Sequence, residues 1–512
     1  MKSGILIALG VLACIQAAYG AGKDRDKNSS ALTTDFDAFT KQARQDFDGF
    51  VADADKQYAD FLERAWKQYA AVSGETIPRW RDKPIPIRKR DGDDRRPIRD
   101  REWDMEIIDI PRPQPDPVPK PQPDPEPVPQ PKPEPKPVPQ PKPEKTLTYR
   151  LYDFTDVKVS DCPDINLGTP SNTSVSAAWR KLDQGGCRNM LADCQRMRRD
   201  LNLCDWAYMT MVHGLADAKF PGRPDEAAML AGYVLRNSGL CVKYALIDGS
   251  LDVLFASQAL FYNRNMAMDA SGKRYYCFNR KKFNSYISYD DIADTGVAPV
   301  SVEVTLPRVT GSMCKLRRMS TFSGSPDINV SVCNGLMKFF ETYPPCAYND
   351  NFVSRWAICA RTPFSDDVKS TFYTELRRAV EGKSPYDAVD VILSMCQNSL
   401  PYGYDDEIWG GDRAFFPEET LYYPKSDCED HAIIFARMVH DILGYDVALI
   451  YVPGHLLAAV CPPADGDMQG DYLVIDGRRY YVCEPTCSGH MSPGHSAVSL
   501  AQAKAISVYN SR

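Results

Sequence analysis

The chain reads as an α+β protein, and three observations carry that expectation. Apolar residues Ala432, Ile433, Ala436, Val439, Ile442 and Leu443 recur at helical spacing up to Gly444, and strand-like runs at 447–452, 455–460 and 479–484 follow with turn residues between them. A similar succession occurs earlier: Pro224 opens a helix that ends at Gly239, strand-like runs follow at 244–248 and 253–256, and Gly272-Lys273-Arg274-Tyr275-Tyr276 mirrors Gly477-Arg478-Arg479-Tyr480-Tyr481. Between the two, residues 300–361 carry strand-like runs such as Val302–Leu306 and Ile328–Val332.

Taken from the start, Lys2 precedes an apolar run from Ile5 to Ala13 and small residues up to Ala21, which predicts a secretory signal peptide over 1–20. The mature protein is then exported, to a periplasm, a cell envelope or the medium. Val11-Leu12-Ala13-Cys14 also resembles a lipobox, so cleavage after Gly20 and a lipid anchor on Cys14 both stay open. Residues 21–34 carry no pattern and read as flexible.

Over 35–74 an eleven-residue repeat sets Phe36, Phe47, Tyr58 and Tyr69 in one register and Phe39, Phe50, Phe61 and Val72 in another. Eleven residues per three turns predicts one long amphipathic helix with an aromatic stripe. That stripe either mediates self-association or docking to an envelope partner, or packs back on the globular part; its acidic polar face disfavours an anionic membrane. Residues 75–145 read as a disordered, Pro-rich spacer. In it, proline occupies every odd position from Pro111 to Pro143, which predicts a polyproline II rod reaching roughly 100 Å at ~3.1 Å per residue.

The remainder divides into a unit over 146–295, a β-rich domain or insert over 296–362 with four cysteines, and a unit over 363–512. Ser365 caps one helix of the last unit, and Ser384-Pro385 starts another whose Val389, Ile392, Leu393 and Cys396 form a core stripe. A formal net charge of −7 over 512 residues leaves no nucleic-acid footprint.

Chemistry concentrates in Ser426-Asp427-Cys428-Glu429-Asp430-His431-Ala432. Ser426 as N-cap and Glu429 as its capping-box partner put Cys428 in the first helical turn, where free N–H groups and the helix dipole favour a thiolate. His455 follows the Pro453-Gly454 turn and begins a return strand, while Glu484 ends a third strand, ahead of Pro485-Thr486. Thiol, imidazole and carboxylate in this order suffice for acyl transfer.

At these residues the chain resembles the transglutaminase-like superfamily, extracytoplasmic bacterial cysteine peptidases included. The resemblance covers roughly the last 150 residues. It implies papain- or transglutaminase-like units, in which a Cys-bearing helix packs on an antiparallel sheet, with Cys428 as nucleophile, His455 as base and then acid, and Glu484 orienting the imidazole. The departure is Glu484-Pro485-Thr486 where the family usually has Asp-Pro-Thr. The implied activity is attack on amide bonds of peptides or proteins, with water or an amine as acceptor and no cofactor or metal. Tyr402 to Leu421 also looks like the approach segment of these relatives.

Other readings stay beside this one. Cys428 could be half of a disulfide; fifteen of the sixteen cysteines remain after an ordinary signal cut, and the odd number flags an unpaired thiol. Cys483, Cys487, His490 and His495 could hold zinc, and His431 could contact the thiol or lie at the surface. Aligning the two units places Arg223 at Cys428, Asp252 near His455 and Asn279 at Glu484, so the first unit reads as a degenerate copy without chemistry. The rival to an enzyme is an inactive envelope protein that uses both units for binding.

Overall fold

The computed structural model describes residues 57–77, 100–111, 145–184, 186–289, 296–309, 313–463 and 468–509. The chain divides into two compact units, Met1–Phe61 and Leu62–Arg512. Residues 1–56, with the segment expected to be a signal peptide, Cys14 and most of the eleven-residue repeat, lie outside the described residues, as does the proline-rich stretch 112–144.

In the second unit the elements run in this order. Strands β1 (Lys67–Ala70), β2 (Arg101–Trp103) and β3 (Glu106–Ile108) precede the hairpin β4 (Thr146–Leu151) and β5 (Thr155–Ser160). Helices α1 (Asn172–Gln184), α2 (Cys187–Asp200), α3 (Asp205–Lys219) and α4 (Pro224–Asn237) lead into β6 (Val242–Ile247), β7 (Ser250–Ala256), β8 (Leu260–Phe261), β9 (Met266–Met268), β10 (Arg274–Cys277) and β11 (Ser285–Ser288). Next come β12 (Cys314–Ser320), β13 (Asp327–Cys333), α5 (Met337–Thr342), β14 (Cys346–Ala347), α6 (Arg355–Arg361), α7 (Asp366–Val380), α8 (Pro385–Ser399), α9 (Asp405–Ile408) and α10 (Pro417–Tyr422). Helix α11 (Cys428–Leu443) is followed by β15 (Asp446–Val452), β16 (His455–Cys461), β17 (Asp471–Ile475), β18 (Arg478–Cys483) and β19 (Lys504–Tyr509). The α+β expectation holds. No described helix is long and apolar enough to cross a membrane.

The larger sheet has the order β2-β17-β18-β16-β15-β19-β3. Only Asp104 and Met105 separate β2 from β3, although six strand spacings of ~4.8 Å would hold them about 29 Å apart across an open sheet. Residues 101–108 are therefore one strap, parallel to β17 on one side and to β19 on the other, that closes the sheet into a barrel. Ile450, Leu457, Ala459, Leu473, Tyr480 and Val482 fill its interior, and Trp103 and Met105 of the strap pack against them.

The other large sheet, β1-β11-β6-β7-β10-β9, is closed in the same manner. Here β1 pairs antiparallel with β11, and two residues on Val72 exchanges hydrogen bonds of 2.8 and 2.9 Å with Met266 of β9. Tyr69 and Ala71 turn inward against Ala245, Leu254, Ala267 and Tyr275. Gly74 then passes the Arg264 carbonyl so closely that any Cβ there would overlap it.

These straps correct two expectations. The helix over 35–74 ends at residue 62, because Tyr69 and Ala71 alternate into a barrel whose edge strands offer backbone partners that a helical stripe would leave unpaired. Within the 75–145 spacer, residues 100–111 are ordered on the C-terminal barrel rather than solvated. The β-rich expectation for 296–362 narrows to one hairpin, β12-β13, stapled by the Cys314–Cys333 disulfide, followed mainly by helix. Val302, Val304 and Leu306 are buried alternately but lack a strand partner among the described residues.

The two barrels share the strand order β11-β6-β7-β10-β9 and β19-β15-β16-β18-β17, with α4 packed on β6-β7 and α11 on β15-β16. One constant offset relates Gly239 to Gly444, the hairpin pair Ile247–Ser250 to Val452–His455, and the pair Phe255–Tyr276 to Val460–Tyr481. Under that offset Ser250, not Asp252, stands at the position of His455. Matching the two Ala-Leu-Ile runs misleads by two residues, because the strand registers follow the hairpin turns instead.

Closure makes a prediction about Trp103, a strap side chain on the barrel core. Trp103→Ala should lower unfolding free energy by about 2–3 kcal/mol, read as a shift in the denaturation midpoint, and an unchanged midpoint would mean that the strap contributes nothing.

Candidate active site

Helix α11 begins one residue later than its sequence suggests. Asp427 is the N-cap, and the Asp430 carboxylate takes its backbone N–H at 3.2 Å and that of Phe415 at 2.7 Å. Ser426 is instead held in extended chain, where its N–H donates to the Pro401 carbonyl and its carbonyl accepts from Gly403, setting Tyr402 alongside. Glu429, freed from capping, turns inward, and the Cys428 thiol donates to its Oε2 at 3.2 Å.

Cys428 is wholly buried and in no disulfide. The barrel faces it with the start of β16, whose Leu456 main chain meets the thiol. The neighbouring His455 is buried, with Nε2 2.8 Å from Glu484 Oε2 and Nδ1 without a hydrogen-bond partner among the described residues. The other oxygen of Glu484 accepts from the Thr486 N–H at 3.3 Å and from its hydroxyl, and the Glu484 carbonyl accepts from Gln397 Nε2 at 2.9 Å. The extra methylene of glutamate is thus taken up by a carboxylate fixed on both oxygens.

The electrostatics run against the thiolate expected at a helix start. Burial, then the charges of Glu429 and Asp427, push the Cys428 thiol well above its ordinary pKa, while the Leu456 main chain pulls weakly the other way. A helix dipole contributes the equivalent of about half a charge, and it is outweighed by two carboxylates in a dry site. The raised pKa favours the protonated thiol, and any attack by its sulfur would require a base to take that proton.

Those carboxylates belong to a buried cluster of Asp405, Asp412, Asp427, Glu429 and Asp430, whose oxygens form overlapping trios within 4.8 Å. Arg355 reaches it, 2.7 Å from Asp412 and 4.0 Å from Glu429. Burial first and Glu429 second raise Asp405 to about 8, and burial holds Asp427 and Asp430 well above the carboxylate range. These oxygen donors are the residues that could hold a hard cation.

The four residues considered for zinc do not converge. His490 pairs with Asp390 at 2.9 Å, His495 Nδ1 lies 3.2 Å from the Ser492 carbonyl, and the Cys483 thiol donates to the Tyr481 carbonyl. Unlike the surface residue considered for it, His431 is buried, which lowers its pKa to about 4; its ring lies 6.1 Å from that of Tyr402. At the equivalent place in the other barrel, Arg223 caps α4 and pairs with Asp164 and Glu226, while Asp252 pairs with Arg280. Gln397 and Arg355 are not singled out by the sequence, whereas Tyr402 and Asp412 enter only through the Tyr402–Leu421 approach segment and Thr486 only through Glu484-Pro485-Thr486. Gln397 does leave a signal, as the polar residue directly after Cys396 in an apolar helix stripe.

No protein-family model, curated protein or solved structure matches the chain.

The raised Asp405 pKa fixes the sign of a pH effect. In the unfolded chain this carboxyl ionises near 4, in the fold near 8, so its contribution to stability is complete below pH 4 and is lost as pH rises to 8. Asp405→Asn should therefore unfold at higher denaturant than wild type at pH 8, by a few kcal/mol at most, with the gap closing toward pH 4. A gap independent of pH would show that the Asp405 carboxyl ionises in the fold at the same pH as in the unfolded chain.

Proposed function

We propose that the C-terminal barrel and its helix form an exported thiol acyl-transfer enzyme of the transglutaminase-like cysteine peptidase type, which hydrolyses amide bonds in peptides or proteins. The observation that carries this reading is the orientation of His455. Its Nε2 is committed to Glu484 while Nδ1 has no hydrogen-bond partner among the described residues, on a strand whose next residue meets the Cys428 thiol. The Cys314–Cys333 disulfide agrees with an oxidising compartment.

In the proposed cycle Glu484 accepts the Nε2–H of His455 and so holds the tautomer in which Nδ1 is the base. As Sγ of Cys428 bonds to the amide carbonyl carbon, its proton passes to Nδ1. Collapse of the tetrahedral adduct breaks the C–N bond, and the Nδ1 proton leaves with the amine. Water then attacks the thioester, giving its proton to Nδ1, and departure of the thiol restores Cys428 and a carboxylic acid. No cofactor enters the scheme.

A second reading, binding without catalysis, is favoured by the complete burial of Cys428 and by a companion barrel with Arg223, Ser250 and Asn279 at the three positions. Covalent labelling at neutral pH with an epoxide or iodoacetamide probe separates the two. Wild type should label, Cys428→Ala should not, and His455→Ala should slow labelling and peptide hydrolysis by roughly 10³-fold or more. Equal labelling of wild type and Cys428→Ala would sink the enzymatic reading. Glu484→Gln should lower kcat with little change in KM, because its carboxylate acts through the imidazole.

A further inference from the structure

The hairpin β4-β5 is a two-stranded sheet of its own and joins neither barrel. Two paired strands alone are marginal in water, so its hold depends on what it packs against, and that is α3 for β4 and α2 for β5. The end of β5 is tied down twice. The N–H and the hydroxyl of Ser160 both donate to Asp193 Oδ2 of α2, at 2.8 and 2.7 Å, and Asp161 Oδ1 accepts from Lys219 Nζ at the end of α3, at 2.5 Å.

These ties bring three thiols to one interface. Cys162 directly follows Asp161 and is buried; Cys187 opens α2 and Cys194 stands further along it, both wholly buried. Seven residues advance a helix by about 10.5 Å at nearly the same angular position, so Cys187 and Cys194 share a face but lie too far apart for one sulfur to touch both. The contact falls to Cys187: its thiol and that of Cys162 hydrogen-bond to each other, whereas Cys194 acts on them through its charge. All three are free thiols in this structure. The hydrogen bond from Cys187 holds the Cys162 thiol below its ordinary pKa against the opposing effect of burial, and Lys219 adds in the same direction. Of the pair, Cys162 is therefore the readier nucleophile. The other hairpin outside the barrels, β12-β13, is already stapled, across its own strands, by Cys314–Cys333.

We propose that Cys162 and Cys187 are a disulfide-forming pair that staples the β4-β5 hairpin covalently to α2, with Cys194 outside the bond. The oxidant is an external disulfide, RSSR, small or carried by a protein. Sγ of Cys162 gives up its proton and bonds to one sulfur of RSSR, whose other sulfur leaves and takes up a proton as RSH. Sγ of Cys187 then gives up its proton and bonds to Sγ of Cys162, and the second RSH departs. The two thiols lose two electrons, one external disulfide gains them, and both protons end on the released thiols. Closing the loop from 162 to 187 removes conformations chiefly from the unfolded chain, and so favours the docked hairpin. This inference does not depend on the chemistry proposed at Cys428.

The test uses the full-length protein, incubated with glutathione disulfide, alkylated with iodoacetamide without reduction, digested and read by mass spectrometry. In most chains a peptide pair linked through Cys162 and Cys187 is expected, which separates on reduction, and the same link is expected in Cys194→Ser. Recovery of Cys162 and Cys187 as separately alkylated or glutathione-capped residues, or a link from either of them to Cys194, overturns the proposal. Stability of the oxidised protein gives an independent reading. Cys162→Ser and Cys187→Ser should lower the denaturation midpoint by similar shifts, and the double variant by no more than either alone, because both remove one bond. Losses that add would mean that no bond ties the hairpin down, and would overturn the proposal. Where a serine variant fails to fold, the linked peptide in the unsubstituted protein decides.

Discussion

A sheet of five strands has two unpaired edges, and the molecule is organised around satisfying them. Rows of free N–H and C=O groups are costly when covered and adhesive when exposed. Here each sheet curls until one short strap pairs with both edges. The barrel interior becomes a sealed apolar core, and its outer surface carries the helix that bears Cys428. The position of His455 relative to Cys428 therefore rests on closure as well as on the α11 packing, since β16 is fixed by its neighbours around the barrel. Straps made early in synthesis must wait for strands made hundreds of residues later, so this topology is dominated by contacts distant in sequence and belongs with slow-folding architectures.

The site balances two opposed demands. Excluding water strengthens the hydrogen bond between His455 and Glu484 and fixes the imidazole. The same exclusion makes every unpaired charge expensive, and the Asp405, Asp427, Glu429 and Asp430 carboxyls respond by holding their protons more tightly. Arg355 compensates only part of the cluster. Beside it the thiol pKa is raised, so the start of its helix does not make it a thiolate.

The parts legible in the sequence are those with local periodicity or capping. The stripe of α11, the Pro453-Gly454 turn, and the caps Ser365 and Ser384 all sit where pattern places them, and Cys428, His455 and Glu484 stand out through their order, the helix-start position of the thiol and the family resemblance these carry. What escaped is long-range. A three-residue strand such as Arg101–Trp103, charged at two positions, has no period to detect, and its partner lies some 370 positions away. The acidic cluster escaped because Asp and Glu are ordinarily read as solvent-facing, and because Asp405 and Asp412 meet Glu429 only through tertiary packing. The cap of α11 was misplaced by one residue because Ser426 and Asp427 are both good N-caps, and Asp430 decides between them by reaching Phe415 as well.

Keeping Cys428 neutral and enclosed has a consequence for the lifetime of the protein. Sulfenic and sulfinic acids form from exposed thiolates, and disulfides shuffle by the same route. In an oxidising compartment a low-pKa thiol at the surface would be spent on peroxide or on a neighbouring cysteine. A buried thiol whose pKa is held up is shielded from both, so its enclosure also conserves it.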